Sequence, residues 1–211
     1  MTDYFALLEE PRLPWLDPDR LKSKFISLSS GVHPDRVHGA SDEEKREANQ
    51  RYAQLNAAYN TLREPKDRLL HLLELELETR PKDVQRIPAG TMDLFVQVGQ
   101  ICRDTDSFLS QKSDATSPVM KVQRFEEGMK WMDKLNEVQR LVNEKRDALT
   151  VELQAMNPIF ESAPARGASS RREGLPLERL EQLYRAFSYV SRWTSQVQER
   201  SVQLSSDLFA G

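Results

Sequence analysis

Apolar residues recur along the chain at spacings of three and four, and no stretch sustains the period-two alternation of Val, Ile and Thr that strands need. Tyr4, Leu7 and Leu8 fall on one face of a short first helix, which Pro11 and Pro14 stop because neither extends an interior hydrogen-bond ladder. In "LDPDRLKSKFISLSSGV", Asp17 is a good N-cap, Pro18 suits the first helical position, and Leu21, Phe25, Leu28 and Val32 form one stripe. Pro34 disfavours helical geometry at His33, so this second helix ends at or just before Val32. "SDEE" then offers Ser41 as a cap with Glu44 three residues on, a capping box, and the third helix carries Tyr52, Leu55, Tyr59 and Leu62 on one face. Two such stripes predict an antiparallel hairpin with residues 33–40 at its tip. Pro65 ends the third helix and opens a fourth, "PKDRLLHLLELEL", whose leucines must dock on something.

The segment "ETRPKDVQRIPAG", residues 78–90, breaks the pattern with two prolines, a glycine and several charges, and is read as a linker between a domain of residues 1–77 and one of 91–211. Beyond it Leu94, Val98, Ile101 and Phe108 share a helical face that Met92, Phe95, Cys102 and Leu109 broaden. Ser117 and Pro118 repeat the cap-plus-proline start of a long helix through Val122, Phe125, Met129, Met132, Leu135, Leu149, Leu153 and Met156, ending at Asn157 and Pro158. Gly128 inside it is expected to allow a bend. "NPIFESAPARGASSRREGLP" reads as a mobile connection over about 157–175. Pro176 opens a last helix striped by Leu177, Leu180, Tyr184, Phe187, Val190, Trp193, Val197 and Leu204. The fold predicted is all-α: a helical hairpin with short flanking helices, then an elongated antiparallel bundle of three helices, two of them on the order of 45 Å long.

Composition agrees and removes whole classes of function. Only eight glycines in 211 residues, against many Leu, Glu, Gln, Arg and Lys, favour helix. Residues 1–77 hold 11 Lys plus Arg against 14 Asp plus Glu, and residues 78–211 hold 19 of each, so neither part is the basic body that binding to a phosphate backbone favours. The arginines of "ARGASSRREG" read as a solvated linker, and no nucleic-acid partner is expected. The single Cys102 excludes an internal disulfide and a multi-cysteine zinc knuckle and suits a reducing compartment. "MTDYFALLEEPR" lacks a basic region followed by an apolar core, and no apolar run approaches spanning length. No signal peptide or membrane partner is expected, and the expected location is cytoplasmic.

The tip itself, "HPDRVHG", permits three readings. As an active site, His33 is a base oriented by Asp35, yet no nucleophile is tied to the pair. As a metal site, His33, Asp35 and His38 offer three ligands with no fourth from a second element. As a plain turn, Pro34 fixes φ, Asp35 caps a neighbouring amide and His33 does nothing.

Residues 3–73 as a whole resemble the J-domain (DnaJ-type) family of co-chaperones. "DYFALL", the stripe of Leu21, Phe25 and Leu28, "HPDR", and "QLNAAYNTLREPKDRLLHLL" occur in the family's order and at its spacing. The resemblance implies a protein that docks on a DnaK-type chaperone and stimulates its ATP hydrolysis, with His33, Pro34 and Asp35 as the trigger. The chemistry suits that role, since a proline-braced loop presents imidazole and carboxylate with little ordering cost and Asp35 can accept a charge-assisted bond from a partner arginine. Arg36, with Arg20, Lys22 and Lys24 of the second helix, is expected to form a basic docking patch. J-domains usually carry more basic residues just before the tripeptide, where this chain has Ile26, Ser27, Ser30 and Gly31, and weaker docking or a specialised partner follows.

No Gly/Phe-rich segment and no repeated Cys-x-x-Cys units follow, so the general-purpose type is excluded. "PRLPWLDPDRL", "TLREPKDRLLHLL" and the three-helix second domain instead resemble the HscB-type co-chaperones of iron-sulfur cluster assembly. That resemblance implies that the bundle presents a client, an iron-sulfur cluster scaffold protein, through Met92, Leu94, Phe95 and Val98. The family's acidic residues are mostly missing from the matching "TMDLFVQVGQICRD", where the same apolar residues also read as bundle core. The alternative is an interaction protein whose J-domain no longer activates a chaperone and which serves a different client. On either reading the chain is not an enzyme and needs no cofactor or metal.

Overall fold

The structure, a computed structural model, describes residues 2–33, 41–81, 87–88, 90–111, 117–165 and 168–209. Among the described residues there are eight helices and no strand: α1 (Tyr4–Leu7), α2 (Pro18–Ser30), α3 (Asp42–Arg63), α4 (Pro65–Leu77), α5 (Met92–Ser110), α6 (Pro118–Glu161), α7 (Ser169–Gly174) and α8 (Leu177–Phe209). The all-α class is as the periodicity predicts. Two compact units result, one of residues 1–84 and 150–184, the other of residues 85–149 and 185–211. No helix among the described residues is long and apolar enough to cross a membrane.

In the first unit the helix starts follow the local chemistry. Asp17 accepts from the Arg20 amide at 2.8 Å with Pro18 in the first turn of α2. At α3 the Ser41 hydroxyl accepts from the Glu44 amide while the Glu44 carboxylate accepts from the Ser41 amide at 2.8 Å. The Ser41 hydroxyl, donating to the Glu44 carboxylate at 2.7 Å, and the Ser41 amide together hold that carboxyl below its usual pKa range. Phe25 stacks on Tyr59 with centroids 4.5 Å apart, and His33 meets Tyr52 edge-on at 5.3 Å. Moving back along α2 moves forward along α3, so the pair is antiparallel. Helices α1, α2 and α4 all pack on α3, with Phe5, Leu8, Leu55, Leu62, Leu69, Leu72 and Leu73 buried between them. The leucines of α4 thus find their dock.

Polar groups stitch the same unit. Arg68, buried at the start of α4, donates to the Pro14 and Leu62 carbonyls at 2.9 and 2.6 Å, and burial pushes its pKa down to about 10. His71 Nε2 accepts from the Tyr4 amide at 3.1 Å while its ring lies against Tyr4 and Phe5. Asn157 grips the backbone of Trp15 from both sides, accepting from its amide at 3.0 Å and donating to its carbonyl at 2.9 Å.

The expected stop at Asn157 and Pro158 needs correction: α6 runs through Pro158 to Glu161. Proline removes one amide, but only a last turn follows it, and buried Phe160 together with the Asn157 grip holds that turn. The connection expected over about 157–175 is likewise helical at both ends, in α6 and α7. Arg171 of α7, read in the sequence as part of a solvated linker, is buried and makes a two-pronged pair with the buried Glu76 of α4 at 2.8 and 3.0 Å. Arg172 adds a bond to the Glu76 carbonyl at 2.8 Å and pairs with Glu78, which caps α4 at φ 57°.

In the second unit α5, the first part of α6 and most of α8 supply Val98, Ile101, Phe108, Leu135, Val142, Leu149, Phe187, Val190, Trp193, Val197 and Leu204 as buried residues. Arg200 of α8 pairs with Asp106 of α5 at 3.0 Å, and Arg124 of α6 with Asp207 of α8 at 2.9 Å. Gly128 also has a packing reason. A β-carbon there would stand 2.4 Å from a Leu208 methyl, so glycine leaves the room that the Leu208 side chain of α8 occupies. Val122, Phe125 and Met129, expected in the core stripe, are exposed. The inward line runs through Gly128 and Leu135, seven residues apart, and those three side chains lie roughly 60° to 140° around the helix from it.

Candidate functional site: the α2–α3 tip and the outer face of α5

Helix α2 ends at Ser30, and Gly31 and Val32 carry the chain on to His33. His33 is half-buried and rests edge-on against Tyr52 of α3, which fixes its height on the hairpin. Pro34, Asp35, Arg36 and His38 lie outside the described residues, so the trigger and the three-ligand reading are expectations of the sequence. Among the described residues no group of three or more His, Cys, Asp or Glu is placed to hold a metal ion. Cys102 is buried, and burial pushes its thiol pKa up, away from the nucleophilic thiolate.

The three cations expected on α2 all reach the surface, but not as an unpaired patch. Arg20 points from the first turn of α2 to Glu10 at 3.4 Å, and Lys24 reaches Glu9 at 2.6 Å. Lys22 is exposed. Glu9 and Glu10 carry no motif and escaped the sequence reading. They sit beyond α1 in a turn whose geometry depends on φ 53° at Glu9, a left-handed conformation that the glutamate codon does not announce.

On α5 the four residues expected to grip a client divide. Met92 and Phe95 are exposed (54% and 41%), Leu94 is half-buried, and Val98 is 1% exposed. Val98 therefore belongs to the core: it stands four residues after Leu94 and three before Ile101, on the line that continues to Thr105 and Phe108. The exposed line is Met92, Phe95 and Val96, the last 55% exposed and missed by the sequence reading. Its signal was the one-and-three spacing on the opposite side of the helix. Thr91 starts the helix without capping it; its hydroxyl instead donates to the Pro88 carbonyl at 2.6 Å, tying down the approach to this face.

Comparison with known proteins converges on one group. No family model matches the chain. A co-chaperone protein HscB homolog of Chromobacterium violaceum is 34% identical over 88 residues, 41% of this chain and 50% of that protein. The HscB homolog of Cupriavidus taiwanensis is 41% identical over 83 residues, 39% of this chain and 45% of that protein. The chain thus spans about half the length of the curated relatives it matches. Among solved structures, the chaperone HscB from Vibrio cholerae superposes with a TM-score of 0.57 at 20% identity, covering 96% of this chain and 99% of that one. Human co-chaperone protein HscB does so with a TM-score of 0.58 at 20% identity, over 96% of this chain and 81% of that one. In sequence over about two fifths of its length, and in fold over nearly all of it, the chain resembles the HscB-type J-domain co-chaperones.

Proposed function

We propose that the protein is a co-chaperone that docks on a DnaK-type chaperone and stimulates its ATP hydrolysis. The observation that carries this reading is the conjunction of HscB co-chaperones as sequence relatives with a braced α2–α3 hairpin that delivers His33 to its tip. Residues 1–77 serve as the chaperone-facing domain, 78–90 as linker and 91–211 as the client-bearing bundle. His33, Pro34, Asp35 and Arg36 make the tip contact, and Arg20, Lys22 and Lys24 steer approach to an acidic surface. The role is recognition without bond-making, so the chain needs no cofactor, and a cytoplasmic address fits its partners.

The client is an iron-sulfur cluster scaffold protein held on Met92, Phe95 and Val96, with Leu94 at the margin and Val98 supporting the helix from within. Exposed methionine and phenylalanine on one helix face are the kind of anchor an apolar partner groove takes. The test is calorimetric titration against the ATP-bound chaperone and, separately, the scaffold. His33→Gln should weaken the first and leave the second; Met92→Asp with Phe95→Asp should do the reverse. Equal binding of all three proteins to both partners would refute the assignment.

A further inference from the structure

Arg20 and Lys24, two of the three cations of α2, are engaged within the chain before any partner arrives. Lys24 Nζ lies 2.6 Å from the Glu9 carboxylate, and the Arg20 guanidinium 3.4 Å from that of Glu10. Neither glutamate is loosely placed. Their amides donate to the Ala6 and Phe5 carbonyls at 3.2 and 2.9 Å, which closes the turn after α1. Glu9 stands at φ 53°, where residues with a β-carbon are uncommon, and the Glu10 side chain is 3% exposed with Oε1 lacking a hydrogen-bond partner. A buried, half-satisfied carboxylate aimed at a mostly exposed guanidinium is costly as packing and effective as an electrostatic counterweight.

We infer that Glu9 and Glu10 are specificity-determining residues that compete with the chaperone for Lys24 and Arg20. This rests on the co-chaperone reading above and adds to it the groups that set the docking threshold. An incoming carboxylate must displace one already present, so docking gains only the difference between two ion pairs, and a partner without a stronger acidic surface gains nothing. The paired charges also cancel beyond a Debye length, about 10 Å at 0.1 M salt, which lowers long-range steering. Glu9 and Glu10 leave the tip residues themselves unchanged, so they act on how much protein is needed and not on the stimulation reached once bound.

The test is titration of the full chain into each DnaK-type chaperone encoded in the same genome, following steady-state ATP turnover. Glu9→Gln, at a residue whose side chain is 60% exposed, is the primary variant, because Glu10→Gln alters a buried site. Glu9→Gln should lower the half-saturating concentration about two- to fivefold at low salt, with the maximal stimulation unchanged. At about 1 M salt, where the Debye length is near 3 Å, the two curves should converge. Adding Lys24→Ala to Glu9→Gln should abolish the gain. If wild type exceeds His33→Gln but Glu9→Gln superimposes on wild type at low salt, this inference alone is overturned. If wild type and His33→Gln stimulate equally, the co-chaperone reading is lost and the inference falls with it.

Discussion

At Arg171 a single guanidinium satisfies both oxygens of a carboxylate carried by a helix far away in sequence, and donates its remaining fork to the Pro164 carbonyl at 2.8 Å. Both partners are out of water, and Arg12 stands 3.5 Å from the same carboxylate. Breaking one side of such a pair strands a buried charge, so Arg171→Ala should lower the unfolding free energy by about 3 kcal/mol in chemical denaturation. The double variant Arg171→Met with Glu76→Gln should lose clearly less than the two single losses together. His71 makes a pH prediction. Burial lowers its pKa, with Asp3 and Glu74 opposing and Arg12 adding to the effect, and the accepting Nε2 requires the neutral ring. The unfolded chain therefore binds a proton that the folded one refuses. Stability is full above the ordinary histidine pKa of about 6.5 and falls as pH drops through the folded value. Melting temperature should fall more for wild type than for His71→Gln between about pH 7.5 and pH 5.5.

At the scale of the helix, Gly128 separates propensity from packing. Gly→Ala in a helix interior ordinarily stabilises by about 1 kcal/mol, yet here the new methyl meets Leu208 at 2.4 Å. Gly128→Ala should gain little or lose stability, and Leu208→Ala in the same chain should recover part of the helix gain; thermal melts of the four proteins decide it. The same contrast explains what the sequence could disclose. Helix starts at Asp17, Ser41 and Ser117 were legible because capping is written in neighbouring residues. The stripes of α3, α4 and the second half of α8 were legible because burial there follows the helical period. The passage through Pro158 was not, since the grip of Asn157 on Trp15 spans 142 positions and leaves no local mark. Nor was the pairing of Arg171 with Glu76, or of Arg20 and Lys24 with Glu10 and Glu9, where charge looked like solvated surface and only the fold brought the partners together. On α5 the spacing places Val98 with Ile101 and Phe108, where it is indeed buried; the resemblance, not the period, groups it with the exposed Met92 and Phe95.

At the scale of the whole molecule, two stretches of different chemistry carry the account: the polar sequence that follows α2, and the exposed apolar line of Met92, Phe95 and Val96 at the start of α5. A client bound on Met92, Phe95 and Val96 should be lost at substitution of Phe95 by aspartate with the melting temperature near wild type, because that side chain is exposed. Val98→Asp should instead unfold its unit, since Val98 is buried. The most direct measurement of the central claim is single-turnover hydrolysis of ATP preloaded on the DnaK-type chaperone, with saturating wild type, His33→Gln or Asp35→Asn added. The account predicts that wild type accelerates hydrolysis by tenfold or more, on the order of 1.4 kcal/mol of barrier or beyond, while both variants leave the basal rate nearly unchanged. Equal acceleration by all three, or none by wild type, would contradict it.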